Sequence, residues 1–541
     1  MVSGIVAASL TAIALVYVLF RRSTRPSLSR IRGPKSPSFA LGNLLELFQR
    51  PVGQADFEWQ SLYGNIVRFK TVFGGDQLLV ADPKALQWIF NASAYRYPKQ
   101  PNLRVISRMI NGRGVVWADG DDHKRQRKVL LPGFGGPESK AFLSVFKGCA
   151  ESMCTKWAEI IESSADQRAV FNVTAWLSRG TLDAIGQAAF DVQFGTFRND
   201  EHPLVRKYAN LLSDIFGRPS TQQIFIQAAS KYFPPWILEW MTDHGSNSRL
   251  ERAREVKKMV TEVGKKMVQE RAETLLEGKG NRDVFSLLVK ANMDTEAKNK
   301  LTEEELLAQM CTILLAGHET TSNSLSWILL ELARHPKMQS RLRTEIRETE
   351  AAIRARGDTQ FTMADFDAMP FTSAVIKEGL RYHPVVPHVH RIAGRDDVLP
   401  LSQPITTESG EVTNEIFVPK GTRIVASIAA YNRNTELWGD DAHEFNPDRW
   451  LDGVASGKKP VSIGVYSNLM TFIGGVRACL GWRFAVIEIQ AFLVEIIGKF
   501  ELTMTDRSER VCRAPSLVMV PMVDGELELG SQLPLAVSVA S

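Results

Sequence analysis

A mostly helical chain with a minor share of strand, tethered by one apolar N-terminal helix, is what the sequence predicts, and three kinds of stretch carry that expectation. NVTAWLSRGTLDAIGQAAFDVQF (172–194), the charged run 248–276 and the segment opening at Thr302 place apolar residues at helical spacing. NIVRFKTVFGGDQLLV (65–80) instead reads as two strands around Gly74-Gly75. GIVAASLTAIALVYVLF, from Gly4 to Phe20, is an uncharged apolar run near the short end of what spans a bilayer.

The 541 residues allow two to four domains, or one large domain built around a cofactor, and no linker divides the chain. The net charge of +5 is unevenly placed. Arg21, Arg22, Arg25, Arg30, Arg32 and Lys35 follow the apolar run with no acid among them, which leaves a neutral remainder and no nucleic-acid footprint. The five cysteines (Cys149, Cys154, Cys311, Cys479, Cys512) are odd in number and widely spaced, which argues against a disulfide framework and for a reducing compartment.

Taken in order, residues 1–21 read as a membrane anchor. A cleaved signal peptide is the alternative, but the charges follow the apolar run and no small-residue cleavage pattern lies among the arginines. By the positive-inside rule those arginines stay cytosolic, so the body faces the cytosol. Residues 22–45, with Pro34, Pro37 and Gly42, read as a basic, stiff linker, and 46–541 as the body. A helix starts at Pro83. Residues 93–119, with Pro98, Pro101, Gly112 and Gly114, read as irregular, and GDDHKRQRKVLLPGF as a basic helix. KYFPPWILEWM, with Phe233, Trp236, Ile237 and Trp240, reads as core packing, contact with a membrane interface being the alternative. GKGNRD closes the helix 248–276 as a loop.

Thr302 and Glu305 form a capping box ahead of a helix that runs to Arg334, about 32 residues and on the order of 48 Å long. In its middle stands AGHETT: Ala316, Gly317, His318, Glu319, Thr320 and Thr321. Glycine and paired threonines are poor helix-interior choices, so a local rule is broken where a function would require it. Gly317 would let a flat cofactor or dioxygen approach the backbone, and His318 reads as a spacer. In KEGLRYHP, Glu378 and Arg381 share a helix face and can pair. His388 and His390 have no further ligand at metal spacing nearby. FIGGVRACLG (472–481) then sets Cys479 two residues after the cation of Arg477, between Gly475 and Gly481, with Phe472 to pack beside it. The helical run that follows puts Cys479 at a helix N-terminus, where a thiolate suits a soft metal or a nucleophile.

These residues carry a resemblance. F-x-x-G-x-R-x-C-x-G is met by Phe472, Gly475, Arg477, Cys479 and Gly481, and [AG]-G-x-[DE]-T-[TS] by residues 316–321. E-x-x-R is met by Glu378 and Arg381, P-x-x-x-R by Pro387 and Arg391, and FNPDRW supplies Arg449, in the same order as in the cytochrome P-450 superfamily. Over residues 30–525 the chain resembles that family, with a general cast similar to members from filamentous fungi.

The resemblance implies a single large α+β domain, mostly helical with small sheets, around a buried haem b. Cys479 would be the axial iron ligand, whose electron donation favours O–O cleavage. Phe472, Gly475, Gly481, Ala316 and Gly317 would line the cofactor. Glu319 and Thr320 would deliver protons. His123, standing where the family has tryptophan in W-x-x-x-R, would hold the propionates with Arg127, Arg391 and Arg477. Glu378, Arg381 and Arg449 would form a structural network. The implied protein is a monomeric, single-pass monooxygenase of the endoplasmic reticulum. It would take electrons from NADPH–cytochrome P-450 reductase, with cytochrome b5 as a further donor, since the chain holds no dinucleotide fingerprint. Lys124, Arg125 and Lys128 could form part of a docking face for the reductase. The implied substrate is a lipophilic small molecule beside Met310, Ile313 and Leu314, with terpenoid tailoring the favoured class. A peroxide-driven or isomerising haem-thiolate enzyme and a non-catalytic haem protein are the rivals. The Glu319-Thr320 pair argues against both.

Overall fold

The computed structural model describes residues 28–197, 211–217, 219–276, 283–294, 296–451 and 461–541. Among the described residues, the helices include α1 (Pro101–Asn111), α2 (Gly120–Leu130), α3 (Leu143–Glu162), α4 (Val173–Phe190), α5 (Pro235–His244), α6 (Ser248–Leu276), α7 (Glu303–Arg334), α8 (Pro370–Tyr382) and α9 (Trp482–Lys499). Strands β1 (Ile66–Lys70) and β2 (Asp76–Val80) form the predicted antiparallel hairpin. They share a sheet, in the order β1-β2-β7-β4, with β4 (His388–Ile392) and β7 (Arg423–Ser427). A second sheet pairs β13 (Pro534–Val539) with β10 (Phe500–Thr503) and β3 (Arg168–Asn172). Two-stranded ribbons join β5 (Asp397–Thr406) to β6 (Val412–Val418), β8 (Gly464–Tyr466) to β9 (Leu469–Gly474), and β11 (Val511–Ala514) to β12 (Val520–Val523).

The central helix α7 starts as its sequence requires. The Thr302 backbone N–H donates to Glu305 Oε2 at 3.0 Å, and the Glu305 N–H donates to Thr302 Oγ1 at 3.2 Å. It then runs buried through the body against α4, where the Thr181 hydroxyl donates to the His318 carbonyl at 3.2 Å. Helix α9 lies alongside α3, with Phe484 edge-on to Phe146 at 4.6 Å. Trp157 stacks on Phe171 at 4.9 Å and ties α3 to β3, a ring pair worth about 0.5–1.5 kcal/mol beyond its buried area.

Several expectations are corrected. Residues 93–119 are not irregular throughout: PNLRVISRMIN forms α1, because Pro101 sits at the helix start, where its missing N–H costs nothing, and Val105 and Met109 give it a buried face. The expected linker is part of the body from Leu28 onward. Leu28 and Ile31 are buried, Arg68 donates to the Ile31 carbonyl at 2.9 Å, and Asn43 Oδ1 accepts from Lys70 N–H at 3.0 Å. The aromatic run is not core: Trp236 and Trp240 are 70% and 62% exposed, with Phe233 and Tyr232 beside them. Pro234 and Pro235 start α5 at the surface, so the rings on the helix point outward. The predicted anchor, residues 1–21, lies outside the described residues, as does GKGNRD apart from Asp283. Among the described residues no helix is long and apolar enough to cross a membrane.

Candidate functional site

The loop around Cys479 is a folded-back finger between β9 and α9. The Cys479 N–H donates to the Phe472 carbonyl at 2.9 Å, which closes the loop. Gly475 has φ +64°, and a Cβ there would lie 2.2 Å from the Phe90 carbonyl oxygen, so glycine is required by a neighbouring backbone as well as by its own torsion. Ile473 is left-handed too, at φ 56°, an uncommon conformation for a β-branched residue and a strain held by the surrounding packing. Phe472 is buried and meets Tyr466 edge-on, while a Cβ on Gly481 would come no nearer than 3.8 Å to the Phe134 ring, the first group it would meet among the described residues beyond its chain neighbours. Burial pushes the Cys479 thiol above its usual range, and the Gly481 backbone N–H and Arg127 only partly offset it. The helix end alone therefore does not make the thiolate expected from sequence; a bound cation would. The thiol is enclosed by protein and yet accessible, so it faces an internal space.

Three arginines and a lysine converge beside this loop. Arg127 donates to the Ala478 carbonyl at 2.7 Å. Arg391, buried, donates to the His390 carbonyl at 2.8 Å, and desolvation followed by repulsion from Arg477 lowers it to about 9. Arg477 pairs through Nη2 with Asp119, while its Nε and Nη1 are buried without a hydrogen-bond partner among the described residues. Lys99, which sequence reasoning missed, donates from Nζ to the carbonyls of Val115, Val116 and Ala118 at 3.1, 2.6 and 2.7 Å. Burial and the charges of Arg477 and Arg391 depress it to about 6. His123 is neutral: desolvation, then Lys99, Arg477 and Arg127, lowers it to about 3, and its Nδ1 lies 3.0 Å from the Tyr95 hydroxyl. One carboxylate, Asp119, cannot balance this group. Buried cations with unused donors fit the two propionates of a haem.

The middle of α7 carries an interruption in its burial. Residues 306–315, 318–319 and 321–333 are buried, whereas Ala316 is exposed and Thr320 half-buried, one turn apart on one face. The Thr320 hydroxyl donates to the Ala316 carbonyl at 2.7 Å. Glu319 is buried, and desolvation pushes it up to about 7, with Asn323 the only offset. Gly317 does not share this face: a Cβ there would lie 2.6 Å from Ile185 Cδ1, so its smallness serves the close approach of α4. Met310 likewise packs on Gly264 of α6. The accessible thiol, the orphaned Arg477 nitrogens and the exposed Ala316 together suit a flat prosthetic group carrying carboxylates.

Below the site, Glu378 of α8 pairs with Arg381 at 2.8 Å and with Arg449 at 3.1 Å, all three buried. Lys124, Arg125 and Lys128 do not act as one basic face, since Arg125 is bound to Glu305 by two guanidinium nitrogens. His388 is held by Asp56 at 2.6 Å, and the described residues contain no cluster able to hold a metal ion by itself. Lys99 and Asp119 escaped the sequence reading because nothing in their local spacing marks them; their partners are carbonyls 16–19 residues away and a guanidinium 358 residues away.

Residues 32–528 match the family model described as Cytochrome P-450. Cytochrome P-450 monooxygenase 205 of Postia placenta is 31% identical over 99% of this chain and 97% of its own length. Ganoderic acid synthetase of Ganoderma lucidum is 32% identical over 93% of this chain and 94% of its own. Cytochrome P-450 monooxygenase claQ of Ampulloclitocybe clavipes is 31% identical over 96% of this chain and 94% of its own. With a thiol opening onto an internal space, cations that lack their anions and relatives aligned from end to end, the chain belongs to the cytochrome P-450 family of haem-thiolate monooxygenases.

Proposed function

We propose that this monooxygenase inserts one oxygen atom from O2 into a C–H or C=C bond of a lipophilic small molecule in fungal secondary metabolism, with terpenoid tailoring the favoured class. The observation that carries the reading is the Cys479 thiol, enclosed by the body yet accessible from within. A haem bound there supplies the oxygen-activating chemistry. Cys479 would supply the thiolate that binds its iron, and Arg127, Arg391, Arg477 and His123 would hold its propionates. Phe472 and Gly475 shape the Cys479 loop that would carry it, and Gly481 and the exposed Ala316 would leave room for it. Gly317 contributes indirectly, by letting α4 pack close to α7.

Glu319 stores a proton at its carboxyl, and Thr320 presents a hydroxyl one residue on, so protons reach the reacting oxygen without opening the space to bulk water. Glu378, Arg381 and Arg449 keep the Cys479 side of the body rigid. Electrons come from NADPH–cytochrome P-450 reductase, with cytochrome b5 as a further donor. Residues 1–21 anchor the protein, as a single-pass monomer, to the endoplasmic reticulum with the body in the cytosol. The exposed Trp236 and Trp240 suit the lipid headgroup level and support membrane contact by the body. One relative is named for the synthesis of ganoderic acid, which supports a small-molecule biosynthetic role.

The test is the carbon-monoxide difference spectrum of the dithionite-reduced protein in microsomes, for the wild type and Cys479→Ser. A red-shifted Soret band that the variant loses supports the reading, and an unchanged spectrum in the variant defeats the ligand assignment. Titration with candidate terpenoids, read as a low-to-high-spin change, then tests the substrate class.

A further inference from the structure

AGHETT places a histidine directly before the proton-storing carboxyl, and the sequence alone gives it no task. In the structure His318 is fully buried on α7, with its Nδ1 3.0 Å from the Leu314 carbonyl. A carbonyl only accepts, so Nδ1 carries the ring proton and Nε2 of the neutral ring carries a lone pair. That Nε2 lies 3.6 Å from Glu319 Oε1. The other carboxyl oxygen, Oε2, faces the Asn323 amide Nδ2 at 3.4 Å, and the same amide donates to the Glu319 carbonyl at 2.7 Å. One oxygen of Glu319 thus faces a donor and the other faces an acceptor. This is the pattern of a carboxylic acid with its proton on Oε1.

The charges agree with that pattern. Desolvation dominates both residues, lowering His318 to about 4 and raising Glu319 to about 7, so the neutral pair is favoured over imidazolium and carboxylate. Asp183 of α4 and Glu488 of α9 lie on helices packed against α7. The first is engaged by Thr196 and the second lies beside Thr321. From α4, Ile185 packs on Gly317 and the Thr181 hydroxyl donates to the His318 carbonyl. A side-chain shift of about 0.5 Å brings Nε2 and Oε1 within hydrogen-bond range.

We propose that His318 is a positioning residue for proton delivery: its Nε2 accepts the carboxyl proton of Glu319 and holds the acid, protonated, between itself and Asn323 until Thr320 draws on it. The Thr320 hydroxyl is meanwhile tied to the Ala316 carbonyl. No hydrogen bond joins it to the Glu319 carboxyl among the described residues, so release of the acid requires this hold to break. The inference rests on the proton-storing role of Glu319 given above.

The full-length haem-loaded protein is examined by infrared spectroscopy at neutral pH, with Glu319→Gln identifying the carboxyl band. His318→Met, similar in length and without a nitrogen, should move that band to the higher frequency of a carboxyl lacking an acceptor. His318→Gln, which restores an acceptor oxygen, should move it back. Peroxide released per NADPH should rise severalfold in His318→Met and fall again in His318→Gln. An unmoved band in His318→Met, or no protonated band lost in Glu319→Gln, overturns the inference. Should His318→Met fail to fold, the wild-type band decides by itself, since an acid with an acceptor absorbs at lower frequency than an isolated one. A red-shifted carbon-monoxide band retained in every variant keeps this test separate from the haem-thiolate reading. A wild type lacking that band defeats the reading and leaves the infrared test of the pair standing.

Discussion

Arg381 grips Glu378 with two parallel hydrogen bonds, Nε to Oε2 at 2.9 Å and Nη2 to Oε1 at 2.8 Å, and neither side chain is exposed. The guanidinium also donates to the carbonyls of Asn432, Ala442 and Glu444. Glu378 in turn accepts from Arg449 Nε, Trp450 Nε1 and the Asn446 N–H. Removing Arg381 leaves the buried Glu378 with Arg449 as its remaining cation and takes the donor from three carbonyls, a loss approaching the ~3–5 kcal/mol of a broken buried pair. Arg381→Met should therefore reduce the yield of folded, haem-bound protein and lower its urea midpoint accordingly. A variant within about 1 kcal/mol of wild type would remove the network from the account of stability.

Gly317 makes a second prediction, because its neighbour is Ile185 of α4. Gly317→Ala should cost about 1–3 kcal/mol through overpacking. In a double-mutant cycle, Ile185→Ala should relieve part of that cost, since the two changes share one contact. Additive effects would mean that the glycine is needed for some other reason.

Thr320→Ala removes the hydroxyl beside the stored proton while leaving the buried Glu319 in place. Reductase-driven turnover should then release more peroxide per NADPH, with the red-shifted carbon-monoxide band unchanged. Equally coupled turnover would count against the relay.

How much could be read from the chain alone follows from where each partner lies. The start and end of α7 were legible because Thr302, Glu305 and the His335-Pro336 break act within a few residues. The hairpin β1-β2 was legible for the same reason. Glu378 and Arg381 share one helix face, so their spacing announced the pair. The role of Gly317 was not legible, because Ile185 is 132 positions away and only the packing of α4 on α7 brings it close. Lys99 looked like part of an irregular loop, since its carbonyl partners become neighbours only when α1 folds and turns the chain back. Trp236 and Trp240 were misassigned because composition reports an apolar ring but not the side of the helix that faces water.

Those two tryptophans, with Phe233, give a prediction about the membrane. In protein lacking residues 1–21, the patch should retain part of the membrane association, since amphipathic rings settle at the headgroup level. Trp236→Ser with Trp240→Ser should move the truncated protein into the soluble fraction of a vesicle sedimentation assay. An unchanged partition would leave the rings without a lipid role.

Glu488 of α9 supplies the last prediction. It is fully buried beside Thr321, and burial pushes its carboxyl well above the usual value of 4.5, with the Thr321 hydroxyl the only offset. Between 4.5 and its folded pKa, the folded state therefore holds a proton that the unfolded state has released. Stability falls with rising pH wherever the folded state binds more protons, so this residue's contribution is complete below pH 4.5 and is lost progressively above it. Glu488→Gln keeps the shape of the protonated acid and cannot ionise. The difference in unfolding free energy, variant minus wild type, should therefore grow as pH rises from 4.5 toward neutrality. Taking the difference cancels the similar slope from Glu319, which both proteins retain and which burial raises to about 7. A difference that stays flat with pH would mean that Glu488 ionises normally in the fold, with a compensating cation or water beside it.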